Sequence, residues 1–70
     1  MYHEGELVQF LGEVQGTALD PCCGSVNAVI SGGVIGVILG WDRFGYEVLV
    51  GDSVVHHIDC DDLTTLNVGV

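Results

Sequence analysis

The sequence predicts an all-β chain: a small closed barrel of five short strands, with one helical turn before the last strand. Three observations lead there. "VIGVILGW" and "YEVLV" place their large apolar residues at period two, the repeat of strands. Turn formers punctuate the chain at short intervals, among them Asp20-Pro21, Gly32-Gly33, Gly45 and Gly51-Asp52. The middle of the chain is rich in β-branched Val and Ile, which suit a pleated sheet.

The elements follow in order. "GELVQFL", Gly5 to Leu11, is a first short strand with Val8 and Phe10 on one side. Residues 12–33 read as a long irregular loop, because turn chemistry dominates them; "VNAVI" inside it could form a brief strand. The second strand is Val34 to Trp41. Period two puts Ile35, Val37, Leu39 and Trp41 on one face and Val34, Gly36, Ile38 and Gly40 on the other. Asp42-Arg43-Phe44-Gly45 is a turn, with Gly45 suited to a positive φ. Tyr46 to Val50 is the third strand, and Gly51-Asp52 is a hairpin signal of the glycine-first kind. Ser53 to Ile58 is the fourth. "DCDDL" reads as a single helical turn capped by Asp59, with Leu63 plugging the end of the barrel. "TTLNV" is the last strand. Trp41 and Tyr46 are expected in the core.

A membrane helix is the competing reading for the middle of the chain. Gly32, Gly36 and Gly40 sit four apart, and no charge occurs from Pro21 to Trp41. Small residues at that spacing let helices approach closely in lipid. However, Ser25 to Trp41 is at the lower edge of a bilayer-spanning length, and Asn27 and Ser31 interrupt it. Lysine is absent from both flanks, so nothing sets an orientation. The strand reading is preferred.

The totals exclude several functions. The chain has 70 residues, room for one domain. It carries 10 acids against a single cation, Arg43, for a formal charge of −9. A nucleic-acid binder needs cations to displace condensed counterions, and a protein docking on anionic lipid needs them too. The expected partners are therefore a protein or a second copy, with no nucleic acid and no membrane. The start, "MYHEGELVQF", has acids where a signal peptide has a basic stretch, which predicts no cleavable signal. Three cysteines, Cys22, Cys23 and Cys60, fit reduced thiols better than a secreted disulfide framework.

The order of strand, long loop, strand, turn, strand, hairpin, strand, helical turn and strand resembles SH3-like and KOW-like small proteins of tailed phages. The resemblance runs over residues 5–10 and 33–66. It rests on "GVIGVILGWDRFGYEVLVGDSVVHHIDCDDLTTL", which closes on His57-Ile58-Asp59-Cys60-Asp61-Asp62-Leu63. It implies a small barrel and a place in the host cytoplasm or in a virion. Nucleic-acid-binding members of such folds carry basic loops, which this chain lacks.

Candidate chemistry is sparse. Cys23, His57 and Cys60 are weak candidates for zinc ligands, since zinc takes thiolate and imidazole in a tetrahedron. The chain has no Cys-x-x-Cys pair, and period two sends His56 and His57 to opposite faces. The plainer reading is free thiols and surface histidines, with no cofactor. A cysteine nucleophile would need a cleft and an oriented base, for which a filled small barrel leaves little room. The acids Asp59, Asp61 and Asp62 lack the spacing of a calcium loop. No enzyme is expected. In SH3-like domains an aromatic shelf binds extended peptides, and here Phe44 on its turn is the candidate contact. Val29 and Ile30, in the apolar part of the long loop, are the others. The function expected is a non-enzymatic binding or assembly module, a virion component being the leading form. The alternative is an acidic inhibitor presenting a DNA-like field to a host nucleic-acid enzyme.

Overall fold

The structure, a computed structural model, describes residues 2–20, 22 and 24–66. It is all-β and antiparallel, with strands β1 (Leu7–Phe10), β2 (Val14–Asp20), β3 (Gly24–Ile30), β4 (Ile35–Asp42), β5 (Gly45–Val50), β6 (Ser53–Ile58) and β7 (Leu63–Thr65). A 3-10 turn, Cys60–Asp62, precedes β7, and the Asp59 carboxylate accepts the Asp61 N–H to cap it, as the sequence predicts. The strands form one sheet in the order β3-β2-β6-β5-β4-β1-β7. This corrects the expected five-stranded closed barrel: the described residues form seven strands, and the edge strands β3 and β7 do not pair with each other. Only residues 11–13 separate β1 from β2, which lie far apart in the sheet order, so the sheet must curl on itself. The end of the expected last strand, Asn67 and Val68, lies outside the described residues.

The two additional strands occupy the segment expected to be an irregular loop. β2 and β3 pair along their whole length, from Val14 opposite Ile30 to Asp20 opposite Gly24. Their alternation is hard to read for a physical reason. The core-facing positions of β2 are Val14, Gly16 and Ala18, mostly small, because Val55 and Ile58 fill the space above Gly16. A Cβ there would come within 2.5 Å of Val55 Cγ1 and 2.7 Å of Ile58 Cδ1. The large residue of the strand, Leu19, points outward and is 69% exposed.

The core comprises Val8, Phe10, Val14, Ile38, Val48, Val55, Ile58 and Leu63, all from the inner face of the curled sheet. Leu63 closes one part of it, as expected. The faces of β4 follow the period-two expectation through Leu39 and depart from it only beyond that residue. Gly36 and Ile38 face the core, while Ile35 and Leu39 are exposed. Val37 pairs with Leu49 and Ile38 with Val48, but Gly40 pairs with Glu47 and Trp41 with Tyr46. Leu39 is thus an extra residue, a β-bulge that reverses the parity of everything after it. Trp41 falls beside Tyr46 at the end of the sheet and is 50% exposed, which corrects its placement in the core. Tyr46 is half-buried and packs against the core.

A second bulge lies in β6. Val48 pairs with Val55 and Tyr46 with Ile58, so β6 has one residue more than β5 over this interval. Val55 and Ile58 both point inward, and both histidines between them lie outside the core. His57 takes φ 65°, a left-handed conformation uncommon for a residue with a side chain. This corrects the expected opposite orientation of the histidines: their rings lie 6.2 Å apart. Residues 25–41, weighed above as a membrane helix, are β3, a turn and most of β4. No helix among the described residues is long and apolar enough to cross a membrane.

Candidate functional site

The site is built on the turn between β4 and β5. Asp42 Oδ1 accepts the Phe44 N–H at 2.8 Å, an Asx turn that fixes the loop locally. Gly45 closes it at φ 138°, and a Cβ there would lie 2.8 Å from the Ile58 carbonyl oxygen. Only glycine lets this turn sit so close to the end of β6. The turn is thus held rigidly, and it lifts Phe44 into solvent, where it is 66% exposed.

Aromatic rings gather around it. The Phe44 ring meets His57 edge-on at 5.8 Å between centroids. The Arg43 guanidinium lies 5.2 Å from the centre of the Phe44 ring, within cation–π range. On the other side Trp41 lies 6.1 Å from Tyr46, which meets Tyr2 edge-on at 5.5 Å. Tyr2 is anchored twice, its hydroxyl donating to the Leu63 carbonyl at 2.9 Å and its N–H to the Tyr46 hydroxyl at 3.2 Å. Burial, followed by the nearby Cys60 and Glu6, pushes the Tyr2 phenol above its ordinary value and keeps it a neutral donor. The result is a ledge of half-exposed rings on a stiff support.

Between this turn and residues 57–60 is an open depression of about 360 Å³, lined by Asp42, Phe44, Tyr46, His57, Asp59 and Cys60 among others. The Cys60 thiol at its edge is not activated. Desolvation raises the Cys60 thiol above its ordinary value, and the carboxylates of Asp61 and Asp59 raise it further. A thiol so placed is mostly protonated at neutral pH. As to metal, His57 and Cys60 line the same depression. The donor atoms that converge within 4.8 Å are those of Asp59, Cys60 and Asp61, all exposed, with His57 outside the group. Asp59 Oδ1 is already engaged as the cap of the 3-10 turn. Cys23 lies outside the described residues.

The other expected contacts separate. Val29 is 56% exposed on β3, an edge strand. Ile30, the next residue, turns inward and packs against the core. Sequence reasoning missed the outer face of the sheet. Leu7 pairs with Val37, Val37 with Leu49 and Leu49 with Val54, an apolar row crossing β1, β4, β5 and β6. Exposed Ile35 and Leu39 flank it. The signal was the glycine at 36: a residue without a side chain marks the face on which another strand's side chains crowd.

Comparison of the chain with models of protein families, with curated proteins and with solved structures gives no match.

Proposed function

We propose that this protein is a non-enzymatic binding and assembly module that engages a protein partner through the aromatic ledge at the β4–β5 turn. The observation that carries the reading is the exposure of Trp41 and Phe44 on a turn whose backbone is fixed by Asp42 and Gly45. Large rigid rings offered to solvent lose little conformational entropy on binding and are typical anchors of interfaces. The run β7-β1-β4-β5-β6, with a 3-10 turn between β6 and β7, supports an SH3-like arrangement. With the resemblance to small tailed-phage proteins, it favours a virion component or another phage protein acting in the host cytoplasm.

A second reading has its own support. Asp42 and Asp59 line the same depression, and Asp61 is exposed beside them, so negative charge collects near the ledge. A basic cleft of a host nucleic-acid enzyme would be attracted to it. One experiment separates the two. Wild type and a Trp41→Ala/Phe44→Ala variant are used as baits in lysate of the expressing cells, at low and high salt. A partner that survives high salt and is lost by the variant supports the ledge. A partner released by salt from both baits supports the polyanion reading. A partner that is indifferent to salt and to the variant overturns both.

A further inference from the structure

We infer that β3 is a homotypic edge: two copies of the chain pair antiparallel along Gly24–Ile30, with Asn27 on the twofold axis, and join their sheets into one. β3 ends the sheet, and among the described residues no strand lies on its outer side. It is seven residues long, against three for the opposite edge, β7. An edge strand exposes unpaired backbone donors and acceptors, and soluble proteins usually block such edges with lysine, proline or inward-pointing charge. β3, "GSVNAVI", has none of these.

Charge identifies the occupant. Each copy carries −9, so two copies meet with least repulsion where acids are absent. β3 lies inside the one long uncharged segment of the chain, Pro21 to Trp41. β3 itself carries no acid to attract a basic partner, and Asp20, opposite Gly24 on β2, lies one strand further in. A second uncharged copy of the same strand loses nothing.

Symmetry then fixes the register. Full overlap of two seven-residue strands about a twofold axis pairs Asn27 with Asn27, Val26 with Ala28 and Ser25 with Val29. Val26 and Ala28 lie on the core side of β3, opposite Ala18 and Gly16 of β2. The pairing therefore extends the inner apolar face, and it covers Val26, which is 37% exposed in the single chain.

The inference deepens the assembly reading, and its test is independent of the ledge. Light scattering after size exclusion, over about two decades of concentration, should show mass rising from the 7.4 kDa chain to twice that value. Asn27→Asp is nearly isosteric at an exposed position, yet in the dimer it sets two carboxylates face to face. It should weaken dimerisation at neutral pH at least about tenfold. Trp41→Ala/Phe44→Ala should dimerise like wild type, so loss of the dimer and loss of ledge binding are told apart. In wild type, hydrogen exchange should show alternate β3 amides slowing as concentration rises, which tests the edge even if Asn27→Asp fails to fold. A wild type that stays monomeric, a mass that grows beyond two chains, an Asn27→Asp dimer as tight as wild type, or β3 amides indifferent to concentration would each overturn the inference.

Discussion

Gly36 and Gly40 lie four residues apart in β4, and replacing each with alanine tests the structure at its most consequential point. A Cβ on Gly36 would come within 2.5 Å of Val48 Cγ1, 2.9 Å of the Leu49 carbonyl oxygen and 3.3 Å of Val50 Cγ2. Val48 is fully buried and Leu49 O belongs to the strand backbone, so neither can swing aside. Overpacking of this kind costs about 1–3 kcal/mol. Against it stands the reduced freedom of the unfolded chain, worth about 0.4–1 kcal/mol for Gly→Ala. The net loss is roughly 1–2 kcal/mol, and at about 4–8 °C per kcal/mol for a domain of this size Tm should fall by roughly 5–15 °C. A Cβ on Gly40 meets nothing within 4 Å, because the bulge at Leu39 has turned that position outward. Gly40→Ala should therefore leave Tm unchanged or raise it by a few degrees, through the unfolded-state term alone. Thermal unfolding followed by far-UV circular dichroism reads both variants. In a packed helix the two glycines would share one face and both alanines would be harmful. Equal losses at 36 and 40, or a larger loss at 40, would refute the strand, its bulge and the direction of its core face together.

Two further predictions test the second bulge and one exposed carboxylate. His57 has a left-handed backbone, so His57→Gly should raise stability by up to about 1 kcal/mol, seen as a higher urea midpoint and reduced by the lost contact with Phe44, whereas β-branched His57→Val should lower the midpoint. Equal midpoints for the two variants would mean that the strain is absent. Glu6 accepts the His3 N–H at 3.0 Å and the Thr65 hydroxyl at 3.0 Å, and the backbone hydrogen bond above all holds its carboxyl below the ordinary 4.5. A carboxyl with a depressed folded-state value stabilises the fold above the unfolded value and loses that contribution as pH falls through the folded value. Wild type should thus exceed Glu6→Gln in stability at pH 7, and the gap should close below about pH 4. A gap that is constant with pH would show that the hydrogen bonds do not favour the charged form.

Local chemistry was enough to read much of the fold. The hairpin at Gly51-Asp52, the turn at Asp42–Gly45 and the Asp59 cap all depend on a few adjacent residues, and each lies where the sequence puts it. The β2–β3 hairpin was legible only in part: "VNAVI" could be read as a brief strand, but β2 could not, because its core-facing positions after Val14 are Gly16 and Ala18 while Leu19 points to solvent. The candidate site was half legible. Phe44 is exposed on its turn as expected. Tyr2 joins the ledge through hydrogen bonds and a ring contact with residues far along the chain.

By itself, then, the amino-acid order determined an acidic, lysine-free, all-β chain and the positions of its turns, since charge adds up residue by residue and turns are set by short-range sterics. Only the tertiary structure decided which face of β4 is inside, where Trp41 ends up and how His56 and His57 come together. The last two depend on a register shift between strands, at Leu39 in one pair and at the histidines in the other, while the inner face of β4 is set by the β5 atoms that crowd Gly36. A bulge is a property of two paired strands, and one strand's period cannot encode it.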